Sequence, residues 1–385
     1  MADDDERKAV HERYGMPGGA SDRRWERYHG RFSAGDVPNE AFRFGWVVEI
    51  DPMDPDSTPV KRTALGRFRH EGATWGQSPS GRVVFYSRDD SRFEYMYKFV
   101  SDEAWDPLKR GMAQSILDEG VLYVARLADD GTGEWVPLVC GEGPLTEENG
   151  FTSQGDVLIK TRIAADLVEA TKMDRPEDMQ QNPVKKGSTL RSRTTPREEP
   201  GTANPRVDNA YGHILEITED GDDAISTTFT WDIFILCGDP SDESTYFAGF
   251  PKEAVNPVAN PDNVNFDAAG NLWISTDGQP GSLDLADGLY VVPTEGPERG
   301  NLQGFLSVVA GAECASFEFV NDYRNMFVSV QHPAEGSDVN HPGIVDNDDR
   351  PVPGPDEAQW PDGGFFPRPS VIQVWSENGG RIGES

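Results

Sequence analysis

Residues 265–274 read NFDAAGNLWI: a strand, a tight turn that holds Asp and Gly, and a second strand that begins with Leu-Trp. This pattern predicts a β-hairpin with an aromatic side chain on its second strand. The pattern recurs as FVND (319–322) followed by MFV (326–328), and more weakly as PSGRVVFY (79–86). Recurrent hairpins of this kind are typical of β-propeller blades, because each blade packs its aromatic face on its neighbour. The alternative is an ordinary antiparallel hairpin in a β-sandwich.

The rest of the chain also favours strands. From Phe42 onward, short β-type runs follow one another and are bounded by Gly, Asp, Asn and Pro. These runs are 45–50, 82–87, 93–100, 121–127, 134–138, 213–218, 227–237, 272–275, 288–292, 326–330 and 370–375. We therefore predict an all-β fold of the propeller type with short helical insertions.

Three segments interrupt this pattern. Residues 1–40 are polar and charged, and we interpret them as an irregular lead-in with a short helix near Asp4–Tyr14, before a propeller domain over residues 41–385. Apolar residues at helical spacing predict a helix over Ile163–Met173, which Pro176 would end. Residues 185–200 (KKGSTLRSRTTPREEP) show no apolar periodicity. They predict an exposed, aberrant basic loop.

The charge balance limits the partners of the chain. There are 67 Asp and Glu residues against 35 Lys and Arg, which gives a formal net charge of −32. A surface this acidic repels phosphate backbones and anionic lipids, so we expect no nucleic acid and no membrane as partner. It also indicates solvation in high salt, where screening weakens self-repulsion, and hence a haloarchaeal or similar origin.

The usual chemical motifs do not occur. Cys140, Cys237 and Cys314 lie far apart with no CxxC spacing, so they define neither a disulfide framework nor a zinc site. The sequence also contains no G-x-S-x-G elbow, P-loop or GxGxxG. The N-terminus shows no export signal on the chain as given.

Carboxylates in specific local frames are the strongest functional signal. They follow or precede predicted strands, where the blades of a propeller turn toward a central channel. Several hard oxygen ligands that meet in this way suit Ca²⁺ or another hard cation. Each Asp taken alone is better explained as a turn former or a solvated surface charge, and only the set as a whole favours a cation site. The candidates are Glu71, Asp90, Glu177, Asp262, Asp277 and Glu313.

Arg175 and Glu177 flank Pro176, which stiffens the backbone between them. An arginine beside metal-binding carboxylates can grip a phosphate with its two-pronged guanidinium while cations neutralise the remaining charge. The alternative is a salt bridge between Arg175 and a neighbouring acid. His332, in QHP (331–333), is a further metal-ligand candidate, although we favour a structural role.

Several segments together resemble the PhoX-type alkaline phosphatases. They occur in the order of that family over about residues 40–380. They are FRFGWVVEID (42–51), LGRFRHEGA (65–73), MDRPED (173–178), ANPRVDNAYGHILEI (203–217), NPDNVNFDAAGNLWISTDG (260–278), FVSVQHP (327–333), QWPD (359–362) and RPSVIQVW (368–375).

This resemblance implies a β-propeller enzyme that hydrolyses small phosphate monoesters with calcium and iron, and that is exported by the twin-arginine route. By position, Glu71, Asp90 and Glu177 resemble the metal carboxylates of the family, and Arg175 resembles its phosphate-binding arginine. Asp262, Asp277 and Glu313 are weaker correspondences. We expect a monomer.

Two departures qualify this resemblance. The Cys-Glu-Glu segment of the family, whose thiolate bridges the irons, has no counterpart here, so iron is doubtful as a cofactor. We therefore expect an incomplete, C-terminal portion of the propeller with little activity of its own. In addition, GSTLRSRTTP (187–196) replaces a family strand, which we interpret as a frameshifted window. The rival functions are a silent calcium-binding propeller and a lactonase-type calcium propeller.

Overall fold

The structure is a computed structural model of the 385-residue chain. It describes residues 2–16, 19–21, 23–108, 115–184, 188–192, 201–207, 209–334, 360–363 and 367–383, with the side chains of 2–6 and 188–192 left out. Contacts divide the chain into two compact units. The first comprises Met1–Pro176 and Asp223–Phe229, and the second comprises Glu177–Asp222 and Thr230–Ser385.

Strands dominate the first unit, and its helices are short. Its elements are α1 (Ala2–Arg13), β1 (Val48–Glu49), β2 (Val60–Lys61), β3 (His70–Gln77), β4 (Arg82–Asp89), β5 (Arg92–Glu94), β6 (Met96–Ala104), β7 (Gly120–Leu127), β8 (Thr132–Pro137), α2 (Gln154–Ile159), α3 (Thr161–Leu167) and β9 (Met173–Asp174). Five antiparallel strands lie in the order β8-β7-β6-β4-β3, and β5 pairs with β9.

The core of this unit forms where the inner faces of the strands meet α2 and α3. Phe68 stacks on Tyr97 with ring centroids 4.2 Å apart, and Val157 of α2 is fully buried in the same cluster. Burial of side chains of this size stabilises the fold by roughly 1.5–3 kcal/mol each. The segment before residue 41 is fixed to this unit, because the Arg13 guanidinium donates to Asp166 at 2.8 and 2.9 Å and binds Glu94.

The second unit consists of several antiparallel groups of strands. Its elements are β10 (Pro176–Gln181), β11 (Ser188–Ser192), β12 (His213–Glu219), β13 (Thr228–Leu236), β14 (Tyr246–Phe247), β15 (Pro261–Phe266), β16 (Leu272–Thr276), α4 (Gln279–Leu283), β17 (Gly288–Val292), β18 (Gln303–Ser307), β19 (Glu313–Val320), β20 (Asn325–Gln331) and β21 (Ser370–Trp375). Strands β15-β16-β17-β18 form one sheet and β19-β20-β21 another, while β11 pairs with β12.

The NFDAAGNLWI stretch forms the hairpin that its sequence predicts. Asn265 pairs with Trp273 across β15 and β16, and Gly270 takes the positive φ of +82° that the turn requires. The Asp267 carboxylate accepts hydrogen bonds from the Asn271 backbone amide at 3.0 Å and from the Trp273 indole Nε1 at 3.0 Å. The Asp therefore fixes both the turn and the orientation of the buried indole.

Two expectations are corrected and one is confirmed. The helix expected over Ile163–Met173 is wrong in its bounds, because α3 ends at Leu167 and Met173 begins β9. Residues 185–200 are not simply a basic loop, since Ser188–Ser192 pairs with β12 as β11. The other residues of that segment lie outside the described part of the chain. The short helix near Asp4–Tyr14 is present as α1, whereas the domain bounds of 1–40 and 41–385 stay a prediction.

Candidate functional site

In the first unit, Arg175 and Asp90 form a direct ion pair. Arg175 Nε lies 2.8 Å from Asp90 Oδ1, and Arg175 Nη2 lies 3.1 Å from Asp90 Oδ2. Asp90 directly follows β4, and its backbone amide donates to the Arg69 carbonyl at 3.0 Å. Each side chain of the pair is 29% exposed. The geometry is the two-pronged guanidinium–carboxylate arrangement, and solvent reaches both partners.

The backbone at Arg175 is unusual. Its φ is +51°, in the left-handed region, although a residue before proline is biased toward extended conformations. Such conformations cost about 1–3 kcal/mol and cluster at functional sites, where the surrounding structure enforces them. The strained position between β9 and Pro176 therefore supports a functional role for the Arg175 side chain.

Glu71 lies in a β-bulge near the start of β3. The register between β3 and β4 shifts between His70 and Ala73, and bulges next to active sites redirect a side chain out of the regular alternation. The Glu71 carboxylate accepts from Arg88 Nη2 at 2.9 Å, and the Arg88 side chain is fully buried. As with Asp90, an arginine of the same unit neutralises this carboxylate.

In the second unit, Asp262 and Asp277 lie at the same end of the β15–β16 hairpin. Pro261 pairs with Thr276, and the register shifts just after Pro261, so that Asp262 also lies in a bulge. Asp277 follows the last residue of β16, and its amide donates to the Asn260 carbonyl at 3.0 Å. The hairpin therefore places both half-buried carboxylates at one edge of its sheet.

Glu313, the first residue of β19, completes this acidic group. Burial, together with the charges of Asp277 and Asp262, raises the pKa of Glu313 to about 8, and the side chains of Glu313 and Asp262 also share a hydrogen bond. Two carboxyl groups can hydrogen-bond only when one carries a proton. The raised pKa therefore favours the protonated form of Glu313 near neutral pH, because burial and the neighbouring carboxylates oppose its negative charge unless a cation offsets them.

Glu177 belongs to the same unit through β10. Its side chain is buried, and the neighbouring Asp178 Oδ2 accepts from the Val264 amide at 3.0 Å. This hydrogen bond ties β10 to the bulge that carries Asp262. The structure thus places Asp262 and Asp277 near enough to Glu313 to raise its pKa in the second unit, and it pairs Asp90 with Arg175 in the first.

Asp287 and Gln331, which contact the residues around Glu313 and Asp277, are not identified by the sequence, and His332 has a closer contact with Glu313 than the sequence indicates. Asp287, just before β17, is buried and accepts from Thr276 Oγ1 at 2.8 Å and from the Gln279 amide at 3.0 Å, so it fixes the turn that carries Asp277. Gln331 Nε2 and His332 Nε2 lie 2.8 and 2.9 Å from Glu313 Oε2. An Asp before a Gly reads as a turn, so only the fold reveals the role of Asp287.

The donors of the second unit suit a hard cation in kind, because carboxylate oxygens are the ligands that Ca²⁺ prefers. Over the described residues, no three His, Cys, Asp or Glu side chains form a group that could hold a metal ion as they stand. A thiolate-bridged metal does not fit the three cysteines. Cys237 and Cys314 are buried, and burial, with the charge of Asp287, raises the pKa of Cys314 to about 12. Cys140 donates to the Phe151 carbonyl.

Comparisons with known proteins identify the family. The chain matches the family described as Alkaline phosphatase PhoX over residues 2–334. The structure of Pseudomonas fluorescens PhoX in complex with vanadate, a transition state analogue, matches with a TM-score of 0.82 and 36% sequence identity, covering 97% of this chain and 64% of that chain. A Trichoderma reesei protein of carbohydrate-active enzyme family AA12 has a TM-score of only 0.28 at 10% identity, covering 74% of this chain and 84% of that one. No curated protein matches the sequence.

The fold and the comparisons together define an all-β protein of the propeller type with short helical insertions, as the sequence predicts. The chain belongs to the PhoX alkaline phosphatase family, which confirms the resemblance. It spans 64% of the length of the Pseudomonas protein. Within the described residues, no helix is long and apolar enough to cross a membrane.

Proposed function

We propose that this chain binds and hydrolyses small phosphate monoesters with the help of a hard cation. The observation that carries the proposal is the match to a PhoX structure that binds vanadate, a transition state analogue, over 97% of this chain. Vanadate resembles a phosphoryl group in transfer, and a protein complementary to that state is built for phosphoryl chemistry.

Arg175 is the proposed phosphate-binding residue. Its guanidinium has five N–H donors in a planar fork that fits two phosphate oxygens. The contacts with Asp90 at 2.8 and 3.1 Å orient this fork. The strained backbone at φ +51° sets the direction in which the side chain leaves the main chain. Arg175 would therefore stabilise the negative charge that the phosphoryl oxygens carry during the transfer.

The carboxylates are the proposed cation ligands. Asp262, Asp277 and Glu313 supply oxygen donors, and Glu71, Asp90 and Glu177 are the further candidates that the resemblance indicates. A bound hard cation supplies Lewis-acid stabilisation of the phosphoryl oxygens. Calcium is the proposed ion because it accepts six to eight oxygen ligands in flexible geometry. Before it binds, Glu313 has to release the proton that it shares with Asp262.

The setting of the reaction follows from the same resemblance. We propose an extracytoplasmic protein that acts as a monomer on soluble phosphate esters. The net charge of −32 would repel anionic substrates over a distance, so high salt, which screens this repulsion, should favour their binding.

The test combines vanadate binding with turnover of p-nitrophenyl phosphate and of a lactone, each with calcium and with a chelator. We expect vanadate binding and phosphate release that both require calcium. Arg175→Lys should lower the catalytic efficiency about 10²–10³-fold. Arg126→Lys, in an exposed pair with Glu134 in the same unit, is the matched control and should change nothing.

Each other outcome overturns the proposal in a recognisable way. Calcium binding without vanadate binding and without turnover would indicate the silent calcium-binding propeller. Lactone hydrolysis without phosphate release would indicate the lactonase-type alternative. Turnover that Arg175→Lys leaves intact would remove Arg175 from the proposed role.

A further inference from the structure

Two side-chain nitrogens converge on a single oxygen of Glu313. Gln331 Nε2 lies 2.8 Å from Glu313 Oε2, and His332 Nε2 lies 2.9 Å from the same atom. Glu313 and Gln331 are direct partners across β19 and β20, so the amide contact follows from the register of the sheet. The imidazole contact does not, because His332 lies one residue beyond the end of β20.

The backbone at His332 is strained. Its φ is +31°, in the left-handed region that non-glycine residues rarely adopt. A regular continuation of β20 would point residues 331 and 332 to opposite faces of the sheet, because successive strand side chains alternate. The turn in the backbone instead brings both side chains to the same carboxyl oxygen. Strain of this kind persists where the surrounding structure enforces it, and it clusters at functional positions.

We infer that His332 is a positioning residue, which holds the Glu313 carboxylate in the orientation that a cation requires. With the ring proton on Nε2, the imidazole donates to Oε2 alongside the Gln331 amide. Two donors on one oxygen fix the plane of the carboxylate and leave Oε1 available to a cation. This inference rests on the proposed function, because Glu313 is a cation ligand only there.

The alternative is that His332 only stabilises the end of β20. A structural role of that kind would change the stability of the cation-free protein. A positioning role would instead change the calcium affinity and leave the cation-free stability nearly unchanged. Removal of a hydrogen-bond partner that orients a metal ligand typically costs 10–100-fold in metal affinity.

The experiment titrates calcium chloride into the full chain after treatment with a chelator, in high salt to screen non-specific binding to the acidic surface. Calorimetry gives the Kd, and thermal unfolding in the chelator gives the cation-free stability. His332→Leu, which removes the donor, should weaken calcium binding about 10–100-fold with little change in the cation-free Tm. His332→Gln, which retains an N–H donor near the Nε2 position, should stay within a few-fold of the wild type.

Gln373→Leu is the matched control, because Gln373 Nε2 donates to Asn325 Oδ1 at 2.9 Å within the same three-stranded sheet. It should leave the calcium affinity unchanged. If His332→Leu fails to fold, Gln331→Leu removes the other donor and makes the same prediction. Equal affinity of His332→Leu and wild type, or equal weakening by Leu and Gln at 332, would overturn the inference while the cation site stands. Absence of calcium binding by the wild type would instead overturn the cation site of the proposed function.

Discussion

Each unit contains a group of buried carboxylates, and the charge of the two groups is compensated in different ways. In the first, buried carboxylates meet guanidinium groups: Asp89 binds Arg162 at 2.5 and 2.6 Å, and Glu94 binds Arg13 at 2.9 Å. In the second, the carboxyls of Glu313 and Asp262 meet each other, and burial, together with the charges of Asp277 and Asp262, raises the pKa of Glu313. Arginines of the chain therefore neutralise these carboxylates of the first unit, whereas the Glu313–Asp262 group depends on a proton or a cation.

This difference distinguishes charges that stabilise the fold through ion pairs from like charges that a bound cation would stabilise. A buried pair is costly to break, because the remaining partner is left as an uncompensated charge. A buried group of like charges has the opposite effect, since removal of one charge reduces the repulsion among the others and stabilises the fold. Asp89→Asn should consequently destabilise the first unit, whereas Glu313→Gln should stabilise the cation-free second unit at a pH where Glu313 is ionised.

The largest expected effect on stability comes from substitution of Asp89. Its side chain is fully buried and binds Arg162, which is itself nearly buried, so Asp89→Asn should lower the free energy of unfolding by about 3 kcal/mol. We place it at the low end of the range for buried pairs because Glu94 Oε1 still lies 3.6 Å from Arg162 Nη1. Urea denaturation measures the change.

Glu134→Gln is the control for this measurement. Glu134 pairs with Arg126 on the surface of the same unit, and loss of an exposed pair should cost only about 0.2–1 kcal/mol. Equal losses for the two substitutions would contradict the view that burial makes the Asp89 pair important for stability.

The next largest expected effect on stability comes from calcium, which would bind the acidic group of the second unit. Calcium at about 100 times its Kd should raise the free energy of unfolding by about 2.7 kcal/mol, and a chelator should reverse this. Glu313→Gln should abolish most of the gain, because an amide is a poorer ligand than a carboxylate. The same substitution should raise the cation-free stability at alkaline pH. Thermal unfolding with and without calcium checks both signs, and a calcium gain that persists in Glu313→Gln would contradict the role of Glu313.

The pH dependence of calcium binding sharpens the comparison further. The pKa of Glu313 is raised from its ordinary value of 4.5 to about 8, so between these values the folded chain keeps a proton that the unfolded chain has released. The cation-free protein should therefore lose stability as pH rises through this window. Calcium must displace that proton, so its apparent Kd should fall about tenfold per pH unit and level off above about 8. A flat profile in the wild type, or an unchanged slope in Glu313→Gln, would contradict this assignment.

Much of the fold can be predicted from the sequence because its turns use local chemistry. The Asp and Gly of NFDAAGNLWI both act within a few residues: Asp267 binds the amide of Asn271 and the indole of Trp273, and Gly270 supplies the positive φ. Local signals of this kind need no knowledge of the rest of the chain. The helix expected over Ile163–Met173 fails because apolar spacing alone does not show that β9 pairs with β5.

The candidate site is predictable only in part. The residue types at strand ends identify Asp262, Asp277 and Glu313 as acidic candidates, yet their mutual approach depends on strand register. Bulges at Glu71 and Asp262 redirect these side chains, and no sequence pattern marks a bulge here. His332 and Asp287 act through other residues, so their roles become visible only when the hydrogen bonds are known.

The smallest expected effect concerns Asp90, the neighbour of Asp89 in sequence. Both aspartates bind an arginine, but the Asp90–Arg175 pair is 29% exposed on each side, so water screens its attraction and solvates either charge alone. Asp90→Asn should therefore lower the free energy of unfolding by only about 0.2–1 kcal/mol. Urea denaturation of Asp90→Asn and of Asp89→Asn compares the free energy of unfolding for the same substitution at two adjacent positions. A loss at Asp90 as large as that at Asp89 would show that the pairing itself, and not its burial, sets the energy. A small loss at Asp90 that comes with weaker vanadate binding would instead place the value of this pair in orienting Arg175.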